Sequence, residues 1–145
     1  MAARDQAAKA AGQPLARRVE QMSLSEKMHL AMHGERDART LLARDRAGPV
    51  QAALVRNPRV SLDEIQALAR NPQLSPDCAE SLAQHPTWGS SPVIAGALVR
   101  NPRTPLPLAY SLVDRLSQAD LRTIAKGLGV RAQVAQAARK RLFGT

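Results

Sequence analysis

A chain of 145 residues with 44% apolar content is long enough for one domain that buries roughly two thirds of its unfolded surface, and too apolar to be disordered throughout. Only 2% of it is aromatic (Trp88, Tyr110 and Phe143), and the remaining apolar content is mainly Ala, Leu and Val, which suits closely packed helices rather than a β-sandwich. The formal net charge of +9 has the look of a nucleic-acid binder until it is divided along the chain. Residues 1–22 carry four basic and two acidic groups, residues 23–130 thirteen and ten, and residues 131–145 four and none. The excess therefore sits at the ends, and the middle is nearly balanced. No segment approaches the roughly 18 apolar residues of a membrane span. The early charges Arg4, Asp5 and Lys9 are followed by no apolar run, so no secretory signal is expected. A lone Cys78 excludes an internal disulfide framework and fits a reducing cytoplasm.

Residues 1–22, rich in Ala, Gln and charge and interrupted by Gly12 and Pro14, read as a mobile tail, followed by one helical domain over 23–145. Ser23-Leu-Ser-Glu26 has the pattern of a capping box and opens a helix to His33, closed by Gly34. A second helix is expected over Glu35 to Arg46, broken by Gly48-Pro49, and a third over Val50 to Arg56, ended by Asn57-Pro58. Ser61-Leu-Asp-Glu64 is a second capping-box pattern, opening a helix to Arg70 that Asn71-Pro72 ends. Ser75-Pro76-Asp77 places an N-cap, a first-turn proline and a first-turn acid in order, and the helix reaches Gln84 before His85-Pro86. Ser91-Pro92 starts the next helix, to Arg100 and Asn101-Pro102; Thr104-Pro105 opens one through Leu112 and Val113. Ser117 caps a helix over Gln118 to Lys126 that Gly127 and Gly129 close, and Arg131 to Leu142 forms the last.

The heptapeptide Ala-Leu-Val-Arg-Asn-Pro-Arg occurs twice, at 53–59 and at 97–103, a separation of 44 positions. Such a spacing is typical of duplicated units that stack. The phrase also has a physical meaning. Arg in a last helical turn faces unpaired carbonyls, and the proline disfavours helical geometry at the preceding Asn, so the helix stops there. Asn-Pro, Asn-Pro and His-Pro fall at 57, 71 and 85, each 14 apart, and Asn-Pro recurs at 101. Helices this short are marginal alone and gain stability from neighbours. The expected fold is all-α, a right-handed, solenoid-like stack of about nine short helices.

The run from Val50 to Val113, with its helix, Asn-Pro, Ser or Thr, helix units and its Leu and Ala seams, resembles the leucine-rich-repeat-variant and HEAT-like families. Residues 23–142 as a whole resemble a helical module of bacterial proteins. The resemblance implies an α-helical repeat fold and a role in binding other macromolecules. One subset of the variant repeats carries a cysteine-rich iron–sulfur segment; with Cys78 alone, this chain lacks it, and no cofactor is implied.

Candidate sites are few. His29 and His33 share a helical face, as in a zinc site, but no Glu follows the first His and no third ligand stands at a recognised spacing; the plainer reading is two surface or seam histidines. Cys78, beside small apolar residues and without an identifiable base, reads as core packing. Trp88, in the longest turn, either anchors a partner or plugs the array where the period lengthens. Arg56, Arg59, Arg100 and Arg103 occupy equivalent repeat positions and are expected on one edge as a basic ladder, extended by Arg70. Helix C-terminal charge complementation explains Arg56 and Arg100 but does not require Arg59 and Arg103, which follow the proline. Arg131, Arg139, Lys140 and Arg141 on the last helix are candidate phosphate contacts, or the polar exterior of a capping helix.

No phosphate loop, paired carboxylate or activated nucleophile points to catalysis. The leading expectation is a non-enzymatic adaptor that binds a protein of acidic character. The alternative is a nucleic-acid binder contacting phosphates, which the pI and the preponderance of Arg favour and the three aromatics disfavour.

Overall fold

The computed structural model describes residues 12–144, and within them it is all-helical: ten α-helices, one 3₁₀ turn and no strand. The helices are α1 (Leu15–Glu20), α2 (Leu24–His33), α3 (Arg36–Leu42), α4 (Gly48–Val55), α5 (Leu62–Ala69), α6 (Pro76–Gln84), α7 (Pro92–Arg100), α8 (Leu106–Val113), α9 (Gln118–Ala125) and α10 (Ala132–Phe143), with the 3₁₀ turn at Trp88–Ser90. No helix among them is long and apolar enough to cross a membrane.

Within the span read as a tail, residues 1–11 lie outside the described residues, but Leu15–Glu20 is helical and its Val19 is buried in the core. Pro14 starts this helix rather than interrupting it: its carbonyl accepts from the amides of Arg17 and Arg18 at 3.1 Å. Gly48-Pro49, expected to break one helix, instead opens the next. A proline in the first helical turn lacks only an amide that would be unpaired there anyway. The preceding helix ends earlier, at Leu42, and the Asp45 carboxylate then accepts from the Ala47 amide at 2.8 Å.

Most caps form as local chemistry dictates. Ser23 and Glu26 close a full capping box, each accepting from the other's amide at 3.2 Å. Ser91 accepts from the Ile94 amide and Ser117 from the Asp120 amide. Ser61 likewise accepts from the Glu64 amide, but Glu64 does not complete the expected box, because its carboxylate points into the protein toward Arg39. Ser75 makes no side-chain cap; its amide donates to Gln51 instead.

Alternate helices pack on one another: α2 on α4 and α4 on α6; α1 on α3, α3 on α5 and α5 on α7; and α8 on α10. Consecutive helices also meet, most closely α9 with α10. A continuous apolar core runs through them from Val19 to Ala138, with Leu42, Leu54, Ile65, Leu68, Leu82, Ile94, Leu98, Leu112 and Ile124 almost wholly buried. Each short helix contributes few such side chains, so the helices support each other rather than stand alone.

Cys78 belongs to this core, 3% exposed, and its burial raises the thiol pKa to about 12. The thiolate is the reactive form of cysteine, so a buried neutral thiol is inert. Iodoacetamide at pH 8 is expected to label Cys78 fully in denaturant and negligibly in the native protein, read by mass spectrometry; rapid native labelling would put the thiol at the surface.

Candidate partner-binding edge

The asparagines of the three Asn-Pro turns are buried, and each makes the same three side-chain hydrogen bonds. The Asn57 amide donates to the Ala31 and Gly34 carbonyls, that of Asn71 to Ala43 and Asp45, and that of Asn101 to Ala69 and Asn71, all at 2.7–3.1 Å. Each side-chain oxygen accepts from the amide two residues on: Arg59, Gln73 and Arg103 respectively. One residue therefore shapes its own turn and fastens it to an earlier one. His85, at the corresponding place, keeps only the first role: its Nδ1 accepts from the Thr87 and Trp88 amides at 3.1 and 3.3 Å. In later turns arginines make the second kind of link: Arg115 donates to the Ala83 and Gly89 carbonyls and Arg131 to that of Asn101.

These bonds, together with the packing of α4 on α6, sort the turns into two files. One contains the turns after α2, α4, α6 and α8. The other contains the turns after α3, α5 and α7, and Arg131. α4 joins them: near its start Gln51, fully buried, donates to the Asp45 and Gln73 carbonyls and accepts from the Ser75 amide in the second file, while its last turn enters Asn57 in the first. The files are thus separated by about the 12 Å length of an eight-residue helix.

The expected single ladder is accordingly divided. Arg56 and Arg59 lie in the first file; Arg70, Arg100 and Arg103 lie in the second. From Asn57 to Asn101 the chain makes three helix-plus-turn steps, at 71, 85 and 101. Three is odd, so the two copies of the heptapeptide end in different files. The second file is joined by cations that the repeat did not mark, Arg44 and Arg46, both exposed, beside Asp45. They carry no repeat signature; what places them in this file is the pair of bonds from Asn71 to the Ala43 and Asp45 carbonyls.

The state of these arginines differs. Arg100 is half-buried and paired with Asp120 at 3.1 Å, and Arg103 donates to the Leu74 carbonyl at 3.4 Å. Among the described residues, the side chains of Arg44, Arg46 and Arg70 make no hydrogen bond or salt bridge. In this file Asp45 pairs with Lys27 at 3.0 Å and Asp77 is exposed at the start of α6, while Arg100 reaches Asp120 in the first turn of α9. The first file mixes Arg56, Arg59 and Arg115 with Glu35 and Asp114. Between the turns at 71 and 101 lies an open groove of about 210 Å3, lined by Arg70, Pro72, Ala97, Arg100, Asn101 and Pro102.

The other candidates are placed apart. Trp88 is half-buried against the core, its ring centroid 5.9 Å from that of His85. His29 and His33 are exposed with ring centroids 4.7 Å apart, and no third metal-ligating side chain joins them among the described residues. On α10, Arg139 donates to the Ala125 carbonyl at 2.8 Å and Arg141 pairs with Asp114 at 3.3 Å; Lys140 is exposed. Three of the four candidate phosphate contacts thus donate to the fold itself. Comparison of the chain with protein-family models, with curated proteins and with solved structures found no match.

Proposed function

We propose that the chain is a non-enzymatic adaptor, a short right-handed solenoid of the HEAT-like or leucine-rich-repeat-variant kind found in bacterial proteins, whose second file of turns docks an acidic protein surface. The observation that carries this reading is the row of exposed arginines with no acidic partner among the described residues (Arg44, Arg46 and Arg70), set in turns that buried asparagines hold rigid. Rigidity matters because a preorganised cationic edge loses little entropy on binding. Alternate-helix packing and the Asn bonds between turns support the solenoid. A lone, buried Cys78 supports a cytoplasmic setting. Nucleic-acid binding is the weaker reading, since Arg131, Arg139 and Arg141 are engaged within the fold and only Lys140 is left on α10.

Charge reversal tests it. Poly-glutamate and a generic DNA duplex are titrated against the protein at low and moderate salt. The triple variant Arg44→Glu, Arg46→Glu, Arg70→Glu is expected to weaken poly-glutamate binding by about tenfold or more, because like charges then face the ligand. Arg56→Glu with Arg59→Glu, in the other file, is expected to change it little. Equal effects of the two sets, or tighter binding of DNA with a steep salt dependence, would overturn the assignment.

A further inference from the structure

We infer that the groove between the turns at 71 and 101 is an anchor pocket for one bulky apolar side chain of an extended acidic peptide, such as a leucine or phenylalanine flanked by glutamates. The inference rests on the basic edge proposed above and names what that edge selects.

The groove is apolar where it matters. Pro72, Pro102 and Ala97 line it together with Arg70 and Arg100, and arginine stems add apolar surface. Asn101 also lines it, but its amide is already donated to the Ala69 and Asn71 carbonyls and its oxygen accepts from the Arg103 amide. Apart from the Arg70 guanidinium at its rim, the pocket therefore offers an incoming group van der Waals contact and little unused hydrogen-bonding capacity. Its volume, about 210 Å3, exceeds that of an apolar cavity of roughly 150 Å3 that accepts benzene, so one aromatic or branched aliphatic side chain fits.

Its wall is held by a second feature that distinguishes this copy of the heptapeptide from the first. Gly96 stands where the first copy has Ala52. A β-carbon at Gly96 would lie 2.9 Å from Arg100 Nη1 and 3.3 Å from the Asp120 carboxylate. Glycine lets Arg100 fold back over α7 to its Asp120 partner. The first copy has no such pair, and Arg56 is exposed.

Charge selects the rest of the ligand. Arg70 stands exposed at the rim, Arg44 and Arg46 lie one turn to one side, and Arg103 lies on the other. Neighbouring turns of one file are separated by about one helix packing distance, roughly 8–10 Å. An extended peptide advances about 3.3 Å per residue, so every third residue comes opposite a new turn. A peptide with acids at three-residue spacing and an apolar residue beside the central acid matches this edge.

The test uses the full chain and two short fluorescein-labelled peptides with glutamate at every third position. One carries phenylalanine beside the central glutamate, the other alanine, and binding is read by fluorescence anisotropy. Burying the phenylalanine is expected to tighten binding about ten- to a hundredfold over alanine. The variant Pro102→Asp, at an exposed lining position, is expected to abolish that preference; Arg59→Glu, in the other file, is expected to retain it. Equal binding of the two peptides overturns the anchor pocket while leaving the basic edge standing, provided both peptides still weaken on Arg70→Glu. A preference that survives both Pro102→Asp and Arg70→Ala puts the pocket elsewhere and overturns the inference. Competition by single-stranded DNA as effectively as by unlabelled phenylalanine peptide overturns it in favour of phosphate. Absence of binding by both peptides and by poly-glutamate overturns the inference together with the edge reading beneath it.

Discussion

Replacing Arg39 by leucine is expected to destabilise the protein by about 3–5 kcal/mol, a large effect for a single substitution. Arg39 of α3 and Glu64 of α5 form a buried, two-pronged pair: Nε meets one carboxylate oxygen at 2.6 Å and Nη2 the other at 3.1 Å, with each residue under 8% exposed. Nη1 also donates to the Gly34 carbonyl at 3.1 Å, which the Asn57 amide shares. Leucine would leave the Glu64 carboxylate without its cation in a site where it is only 6% exposed. With folding stabilities of about 5–15 kcal/mol, such a loss is enough to threaten the native state. The double variant Arg39→Leu, Glu64→Leu is expected to recover most of it, because an apolar pair of similar size removes the stranded charge. Urea unfolding of the three proteins checks this. A double variant no better than the single would mean that the pair itself holds α3 to α5.

The same pair sets a pH dependence. Burial raises the Glu64 pKa, but the hydrogen bond and charge of Arg39, with a smaller contribution from Ser61, outweigh it and hold the carboxyl below its ordinary value. A depressed folded value means that the contribution is complete above the unfolded value of about 4.3. It is then lost as pH falls through the folded value. Stability of the native protein is therefore expected to drop more steeply below about pH 4 than that of the double variant, measured by thermal melting.

The second large effect is expected at Asn101. Substitution by alanine removes two hydrogen bonds from its amide and one to its oxygen, stranding the carbonyls of Ala69 and Asn71 and the amide of Arg103 in a site where Asn101 itself is 4% exposed. With about 1–3 kcal/mol for a stranded buried polar group, relieved in part by entering water, the total is expected near 2–4 kcal/mol. Asn101→Asp should be at least as damaging: it keeps an acceptor for the Arg103 amide but turns a carboxylate toward two carbonyls. Arg56→Ala, at an exposed helix end, is expected to stay within about 0.5 kcal/mol. If Asn101→Ala proved as mild as Arg56→Ala, the asparagines would be turn formers only, with no part in joining one turn to the next.

Features governed by neighbours in the chain could be read from residue order alone. Helix starts at Ser23, Ser91 and Ser117 and stops at Asn57, Asn71 and Asn101 follow from capping oxygens and proline geometry, which act within four residues. The all-helical class followed from the same signals together with the scarcity of aromatics. Where two local rules competed, residue order did not rank them: Gly48-Pro49 both ends and begins helices, and the structure uses the second property.

What the tertiary structure decided is which groups meet across twenty or more residues. Glu64 has the pattern of a cap but serves as the partner of Arg39, because α5 packs on α3 and a buried guanidinium needs a carboxylate more than an N-terminal amide does. Asn57 and Asn101 stand in identical heptapeptides, yet they fasten different files of turns, since successive turns alternate in space and an odd number of steps separates them. The second file therefore joins Arg44 and Arg46, which residue order did not mark, to Arg70 and Arg103, which it did. Periodicity along a chain specifies that like units recur; their assignment to one edge or the other is a matter of packing parity.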